Sequence, residues 1–115
     1  MRSDRMPPVA LKKNTCIIVG LKGDIDIQNK LNIMNLKRIL SKALRKKTKQ
    51  LIINMEQVTY IDSSGIGTLI MAVKKIYQQG GEFYLYKVPD YVMQIFVLTK
   101  IYGIFNYCNK LTGFY

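Results

Sequence analysis

The chain has 115 residues, which is enough for one domain with a core of ordinary size. Hydrophobic residues make up 49% of it and charged residues 22%, a balance typical of globular proteins that argues against extensive disorder. Histidine is absent, which excludes Ser-His-Asp and Cys-His nucleophiles and histidine metal sites. The formal net charge is +11, and most of it lies in residues 1–50, which hold 13 basic and 3 acidic groups. A half-chain this basic bears on solubility and on anionic partners, and not on the fold.

Cysteine content and hydropathy favour a cytoplasmic protein. Cys16 and Cys108 are too few for a disulfide scaffold and suit a reducing compartment, where they are expected to be core thiols. No apolar run reaches the length of about 18 residues that a membrane span needs, and the N-terminus does not resemble a secretory signal.

The first half of the chain predicts strands and then a long helix. Residues 9–11 are a candidate edge strand, and the β-branched run at 15–21 predicts a buried strand that ends in a turn at 23–26. The period changes to that of a helix over residues 29–47. Apolar and basic side chains fall on opposite sides of this helix, and the basic side holds Arg38, Lys42, Arg45, Lys46 and Lys49 if the helical turn persists.

The second half alternates strands and helices. Gly80 and Gly81 indicate a left-handed end of the second helix, and Pro89 suits the first turn of the third. The predicted strands are 51–55 with 60–61, 82–88 and 104–108, and the predicted helices are 63–79 and 89–100.

Alternating strands and helices predict an α/β fold, with a mixed, mainly parallel sheet of four or five strands and helices packed on it. Neither an internal repeat nor a linker divides the chain, so we expect a single domain over residues 1–115. Residues 1–8 are expected to be irregular, and residues 109–115 to form a short tail.

The segment around Asp62 carries the most chemical information. A predicted strand ends there, and a carboxylate, two serines and two glycines follow at the start of a helix. Helix N-termini offer unpaired N–H groups and favour negative charge, so a bound anion or a phosphate attached to the chain would be stabilised. Asp62, Ser63 and Ser64 could instead simply cap the helix. The residues around the serines do not match a nucleophile elbow, and no histidine exists to activate them, which argues against a catalytic serine but not against a serine that serves as a substrate.

This segment, YIDSSGIGTL, together with LIINMEQV before it and GGEFYLYKV after it, resembles the STAS domain family of sulfate transporters and anti-sigma factor antagonists. Within that family it is most similar to the free-standing bacterial anti-sigma factor antagonists. GDIDIQN supplies a second landmark, and the resemblance extends from about Cys16 to Cys108.

The resemblance implies a protein that is phosphorylated and is not an enzyme. The serine after the motif aspartate is the acceptor in such antagonists, and that position is Ser63. The acidic residue of the second landmark falls on Asp26 and is expected to lie close to the acceptor. Asp62 and Ser64 flank the acceptor.

The resemblance also implies how the protein is used. An anti-sigma factor that is a serine kinase with bound ATP binds the unmodified antagonist, releases its sigma factor and transfers phosphate to the antagonist. A metal-dependent serine phosphatase restores the antagonist. Gly65 and Gly67 would keep side chains away from the approaching partner, and no cofactor is implied on this chain.

Other functions stay open at this point. The chain could be a STAS scaffold in a stress-sensing assembly or a partner subunit of a transporter. It could also be a basic module that binds nucleic acid or anionic lipid, because one face of the 29–47 helix is cationic. That stretch lacks interleaved aromatic residues for base stacking, and the apolar side of the helix is needed by the sheet. We therefore expect a solvated face, with no direct nucleic-acid partner.

Overall fold

The structure is a computed structural model that describes residues 16–46 and 48–111. Strands and helices alternate along this part of the chain, with one short 3₁₀ turn, Tyr102–Ile104, before the last strand. The strands are β1 (Cys16–Ile25), β2 (Gln50–Ile61), β3 (Glu82–Tyr86) and β4 (Asn106–Cys108), and the helices are α1 (Lys30–Arg45), α2 (Ser63–Gln78) and α3 (Asp90–Leu98).

The described strands form one sheet in the order β1-β2-β3-β4, and every neighbouring pair is parallel. The predicted α/β class with a mainly parallel sheet is confirmed. The candidate edge strand at residues 9–11 and the expected irregular segment 1–8 lie outside the described residues. So does most of the predicted tail, because the description ends at Leu111.

Strand β1 extends further than predicted, so the turn predicted at residues 23–26 is wrong. Two irregularities in the β1–β2 register, one on each side of Lys22–Gly23, let the strand continue to Ile25. Gly23 adopts φ +80°, a left-handed conformation that glycine accepts without strain. Ile25 then pairs with Ile61, so β1 and β2 end side by side.

Helix α1 is shorter than the predicted segment 29–47. Asn29 is its N-cap, and its side chain accepts a hydrogen bond from the Asn32 N–H. The helix ends at Arg45, so Lys49 lies beyond it and has no place on the predicted basic face of the helix. Its buried residues are Ile33, Leu36, Leu40 and Ala43, which agree with the predicted apolar side.

The second and third helices begin and end close to their predicted limits. Gly80 has φ +79° directly after the end of α2, as the glycine pair predicted. Pro89 precedes the first residue of α3. No helix among the described residues is both long and apolar enough to cross a membrane.

One hydrophobic core joins the helices to the sheet. Leu51 and Ile53 of β2 pair with Phe83 and Leu85 of β3, and all four side chains are fully buried. Because successive strand side chains point to opposite faces, these residues lie on one face of the sheet. In a parallel sheet the carboxyl ends of the strands share one edge, so Ile25 and Ile61 bring their following residues together at the start of α2.

Candidate functional site

Asp62 ties together the chain segments at this edge of the sheet. Its Oδ1 accepts hydrogen bonds from the backbone N–H groups of Ser64 (2.9 Å) and Gly65 (3.1 Å), which makes it the N-cap of α2. Its Oδ2 accepts a hydrogen bond from the Ile27 N–H at 2.9 Å. One half-buried carboxylate therefore links α2 to the segment that follows β1.

These contacts stabilise the charged form of Asp62. Partial desolvation raises the pKa of its carboxyl, but hydrogen bonds from the Ile27, Gly65 and Ser64 N–H groups outweigh that effect and hold the pKa below its ordinary value of 3.8. The carboxylate is thus ionised at neutral pH. It places a fixed negative charge directly before Ser63.

Ser63 is the first residue of α2, and its side chain is exposed. Its hydroxyl makes no hydrogen bond within the described residues, whereas two N–H groups of the helix start are already taken by Asp62. The sequence left open whether Asp62, Ser63 and Ser64 all cap the helix. In the structure Asp62 is the cap, and the Ser63 hydroxyl is left facing solvent.

Ser64 differs from its neighbour in exposure. It is half-buried, and its carbonyl accepts a hydrogen bond from the Thr68 hydroxyl at 2.9 Å. The adjacent serines therefore differ: Ser63 is exposed, and Ser64 is half-buried. This difference provides a natural matched control for experiments.

Asp26 lies beside the Asp62 contacts. Its neighbour Ile25 accepts a backbone hydrogen bond from Asp62 at 3.2 Å, and its other neighbour, Ile27, donates to the Asp62 carboxylate. The Asp26 carboxylate accepts from the Asn29 N–H at 2.9 Å, and no hydrogen bond joins it to Ser63. The backbone on both sides of Asp26 therefore contacts Asp62, the N-cap of α2. The Asp26 carboxylate itself binds within its own turn, at Asn29.

Asp24, the other acidic residue of this segment, has a separate role. Its carboxylate accepts a hydrogen bond from the Thr59 hydroxyl at 2.5 Å, which links the last residues of β1 to those of β2. Asn32 donates to the carbonyls of Lys22 and Asp24, both at 2.9 Å, and so anchors α1 to the irregular part of β1.

The two glycines of the motif occupy different environments. A Cβ at Gly65 would lie 2.6 Å from the Ile25 carbonyl and 2.7 Å from the Ile61 side chain, so no side chain fits. A Cβ at Gly67 would meet nothing within 4 Å. Gly65 is thus required by the close approach of α2 to the end of β1, whatever partner approaches. Of the two motif glycines, only Gly67 lies next to open space, on the exposed side of α2.

Several exposed apolar side chains lie on the elements that meet at the site, and the sequence reasoning did not identify them. Ile27, whose N–H donates to Asp62, is 60% exposed, and Leu31 and Met34 on the first turns of α1 are 66% and 57% exposed. Tyr60 and Tyr91 lie on the β2–α3 side with their ring centroids 6.2 Å apart. A helical wheel could have found Leu31 and Met34, because both fall opposite the buried arc of α1.

Among residues 16–46 and 48–111, no group of histidine, cysteine, aspartate or glutamate residues could hold a metal ion. The cysteines are not activated either. Burial raises the pKa of Cys16 to about 11, with a further contribution from Cys108, and burial also raises the pKa of Cys108. Both thiols are half-buried in strands and stay protonated at neutral pH.

Sequence comparison decides the family. The model of the STAS domain matches residues 7–112. The chain therefore belongs to the STAS domain family. Among curated proteins, an anti-sigma-B factor antagonist of Staphylococcus aureus is 27% identical over 83 residues, which make up 72% of this chain and 74% of that relative.

Solved structures show that this STAS domain has a known fold. The Thermotoga maritima protein TM1081 superposes with a TM-score of 0.74 and 21% identity, covering 84% of this chain and 81% of that protein. The anti-sigma factor antagonist SpoIIAA in its unphosphorylated form superposes with a TM-score of 0.64 and 16% identity, covering 84% of this chain and 82% of that protein. Phosphorylated SpoIIAA of Bacillus gives the same TM-score and identity, covering 84% and 86%.

Proposed function

We propose that this STAS domain is an anti-sigma factor antagonist that is switched by phosphorylation of Ser63. The observation that carries the proposal is the exposed Ser63 hydroxyl at the first position of α2, left free because Asp62 caps the helix. The name of the Staphylococcus aureus relative supports the antagonist role. SpoIIAA, which shares the fold, has been solved in unphosphorylated and phosphorylated forms.

The position of Ser63 allows a phosphate to be added without disturbing the fold. The added group carries a charge of about −1.5 to −2 at neutral pH and three acceptor oxygens. At an exposed helix N-terminus the macrodipole favours negative charge by a few tenths of a kcal/mol to about 1 kcal/mol. The charge of Asp62 opposes this gain, so the two effects partly cancel within the free protein.

In a protein interface the same phosphate is unfavourable. It adds bulk and a charge that must be desolvated next to the carboxylates of Asp62 and Asp26. A loss of about 3 kcal/mol of binding free energy weakens a complex roughly a hundredfold, which is enough to change partners. Phosphorylation therefore removes the contact and leaves the domain folded.

The partners follow from this role. An anti-sigma factor with serine kinase activity binds the unmodified protein, releases its sigma factor and phosphorylates Ser63. A metal-dependent serine phosphatase reverses the modification. ATP and metal belong to those enzymes, the domain itself is not an enzyme, and we place it in the cytoplasm with them.

The test is phosphorylation by candidate anti-sigma kinases of the same organism with ATP, followed by site mapping by mass spectrometry. We expect label on the parent and on Ser64→Ala, and none on Ser63→Ala. In calorimetric titrations with the kinase, Ser63→Ala should bind like the parent and Ser63→Asp about a hundredfold more weakly. Label on Ser63→Ala equal to that on the parent would show that the acceptor is another residue.

A further inference from the structure

One end of the molecule has no part in the proposed function. The basic end, as we call it, is formed by five exposed cationic residues where α1 and α2 finish, at the opposite end of α2 from Ser63. Helix α2 has 16 residues, so at a rise of about 1.5 Å per residue this end lies about 24 Å from Ser63. The basic end consists of Lys42, Arg45, Lys46, Lys49 and Lys75.

Two hydrogen bonds hold the segment after α1 against the end of α2. The Gln79 side-chain amide donates to the Thr48 carbonyl at 3.3 Å, and the Glu82 N–H donates to the Lys49 carbonyl at 2.7 Å. A Cβ at Gly81 would lie 2.8 Å from the Thr48 carbonyl, so only glycine permits this approach. Lys49 is thereby brought to the end of the helix that carries Lys75.

A groove of about 500 Å³ runs between the last turns of α1 and α2. Five of its six lining residues bear hydrogen-bond donors that suit phosphate oxygens, and Leu44 is the exception. No aromatic residue belongs to the lining. The lining residues are Ser41, Leu44, Arg45, Lys75, Gln78 and Gln79.

Helix dipoles explain only part of this charge. Lys42, Arg45 and Lys75 lie in last turns, where a cation is favourable, but the effect fades within one turn. Lys46 and Lys49 lie beyond the helix, and none of the five forms an ion pair with a carboxylate of the described chain. No ion pair within the described residues offsets their mutual repulsion, so a polyanion would be bound favourably.

We propose that the basic end binds the phosphodiester backbone of double-stranded nucleic acid without reading base sequence. The absence of aromatic side chains from the groove excludes stacking on single-stranded bases, which was the sequence argument against nucleic acid, but it does not affect backbone contacts. Leu44, the apolar residue of the groove, is half-buried, so the groove offers no side chain that could insert into a membrane.

The experiment measures binding of a fluorescein-labelled 20-base-pair DNA duplex by anisotropy at several salt concentrations. We expect non-specific affinity, with Kd on the order of 10⁻⁴ to 10⁻⁶ M at physiological salt. The triple variant Lys42→Gln, Arg45→Gln, Lys75→Gln should bind at least about tenfold more weakly, and its salt slope should fall by nearly 3, because each phosphate contact contributes about 0.9.

The matched control removes the same charge from residues away from the basic end: Lys22→Gln, Lys30→Gln, Lys110→Gln. It should bind the duplex within about threefold of the parent, because distant surface charges are screened beyond about 8 Å. Equal losses in both triple variants would mean that net charge alone drives binding, and would overturn the proposal. Tighter binding to phosphatidylglycerol vesicles or to polyglutamate than to the duplex would also overturn it. Duplex RNA should behave like DNA.

This inference and the proposed function can fail separately. Ser63→Ala and Ser63→Asp should bind the duplex like the parent, and the triple variant of the basic end should still be phosphorylated on Ser63. Loss of phosphorylation in that variant would place the basic end in the kinase interface instead, and would contradict the proposal of a separate site.

Discussion

The two ends of the sheet carry opposite charge and are built in different ways. Around Ser63, the carboxylates of Asp24, Asp26 and Asp62 each accept a hydrogen bond that holds the backbone or a neighbouring strand in place. At the basic end, the Lys46 and Lys49 side chains form no ion pair with the described residues and extend into solvent. The acidic charges are therefore structural, whereas the basic charges are available to a ligand.

Helix direction accounts for part of this separation. Helices α1 and α2 both begin near the site and end at the basic end, so their positive dipole ends face the carboxylates and their negative ends face the lysines. Charges about 24 Å apart along a 16-residue helix are screened from each other at physiological ionic strength. A phosphate on Ser63 should consequently act on contacts at its own end only.

The largest expected effect concerns the packing beneath the site. Gly65→Ala should destabilise the domain by about 3 kcal/mol, because the new methyl group overlaps the Ile25 carbonyl and the Ile61 side chain. Gly67→Ala is the matched control and should stabilise it by up to about 1 kcal/mol, because alanine favours the helix and meets nothing there. Urea unfolding measures both. Similar free energies of unfolding for the two variants would contradict the close approach at Gly65.

The next effect concerns the cap. Asp62→Ala should lower the free energy of unfolding by about 1–2 kcal/mol, because the Ser64 and Gly65 N–H groups lose their acceptor. The folded pKa of Asp62 is below its ordinary value of 3.8, so the contribution of its charge is complete above pH 3.8 and is lost as the pH falls through the folded pKa.

The difference in unfolding free energy between the parent and Asp62→Asn isolates that charge. It should be larger at pH 7 than at pH 2.5, as measured by urea unfolding at both values. A difference that does not change with pH would show that the ionised carboxylate adds nothing beyond the cap geometry.

Asp26 should matter more for the kinase than for stability. Asp26→Asn keeps an oxygen that can accept from the Asn29 N–H, so the free energy of unfolding should change by less than about 0.5 kcal/mol. We predict that it slows the proposed phosphorylation of Ser63, because it removes a charge from the segment that contacts Asp62. Asp24→Asn is the control, since that carboxylate bonds Thr59 instead. Equal phosphorylation rates for the parent and Asp26→Asn would reject a role for Asp26.

Local signals in the sequence predicted most of the elements but not where β1 ends. The period of α1 and the glycine after α2 depend on near neighbours and are visible in the chain. The continuation of β1 through Gly23 was not, because Gly23 and Asp24 are turn-forming residues and only pairing with β2 keeps them extended.

Contacts between residues distant in sequence also limited what could be predicted of the site. The resemblance singled out Ser63 and Asp62, and the structure places them at the start of α2 as expected. The hydrogen bond from Ile27 to Asp62 joins residues 35 apart in sequence, so no local pattern could predict it. The requirement for glycine at position 65 could not be predicted either, because the atoms that exclude a side chain there belong to the ends of β1 and β2.

The smallest expected effect tests whether the site end accepts negative charge. Ser63→Asp and Ser63→Asn have the same shape and differ in charge, so comparing them isolates electrostatics at the first position of α2. The dipole favours the aspartate by about 0.3–1 kcal/mol, and repulsion from Asp62 reduces that gain, so the melting temperatures should agree within about 2 °C. If Ser63→Asp melted several degrees below Ser63→Asn, phosphorylation would strain the free domain. The switch would then act by loosening the fold rather than by removing a contact, and the separation between the two ends would no longer hold.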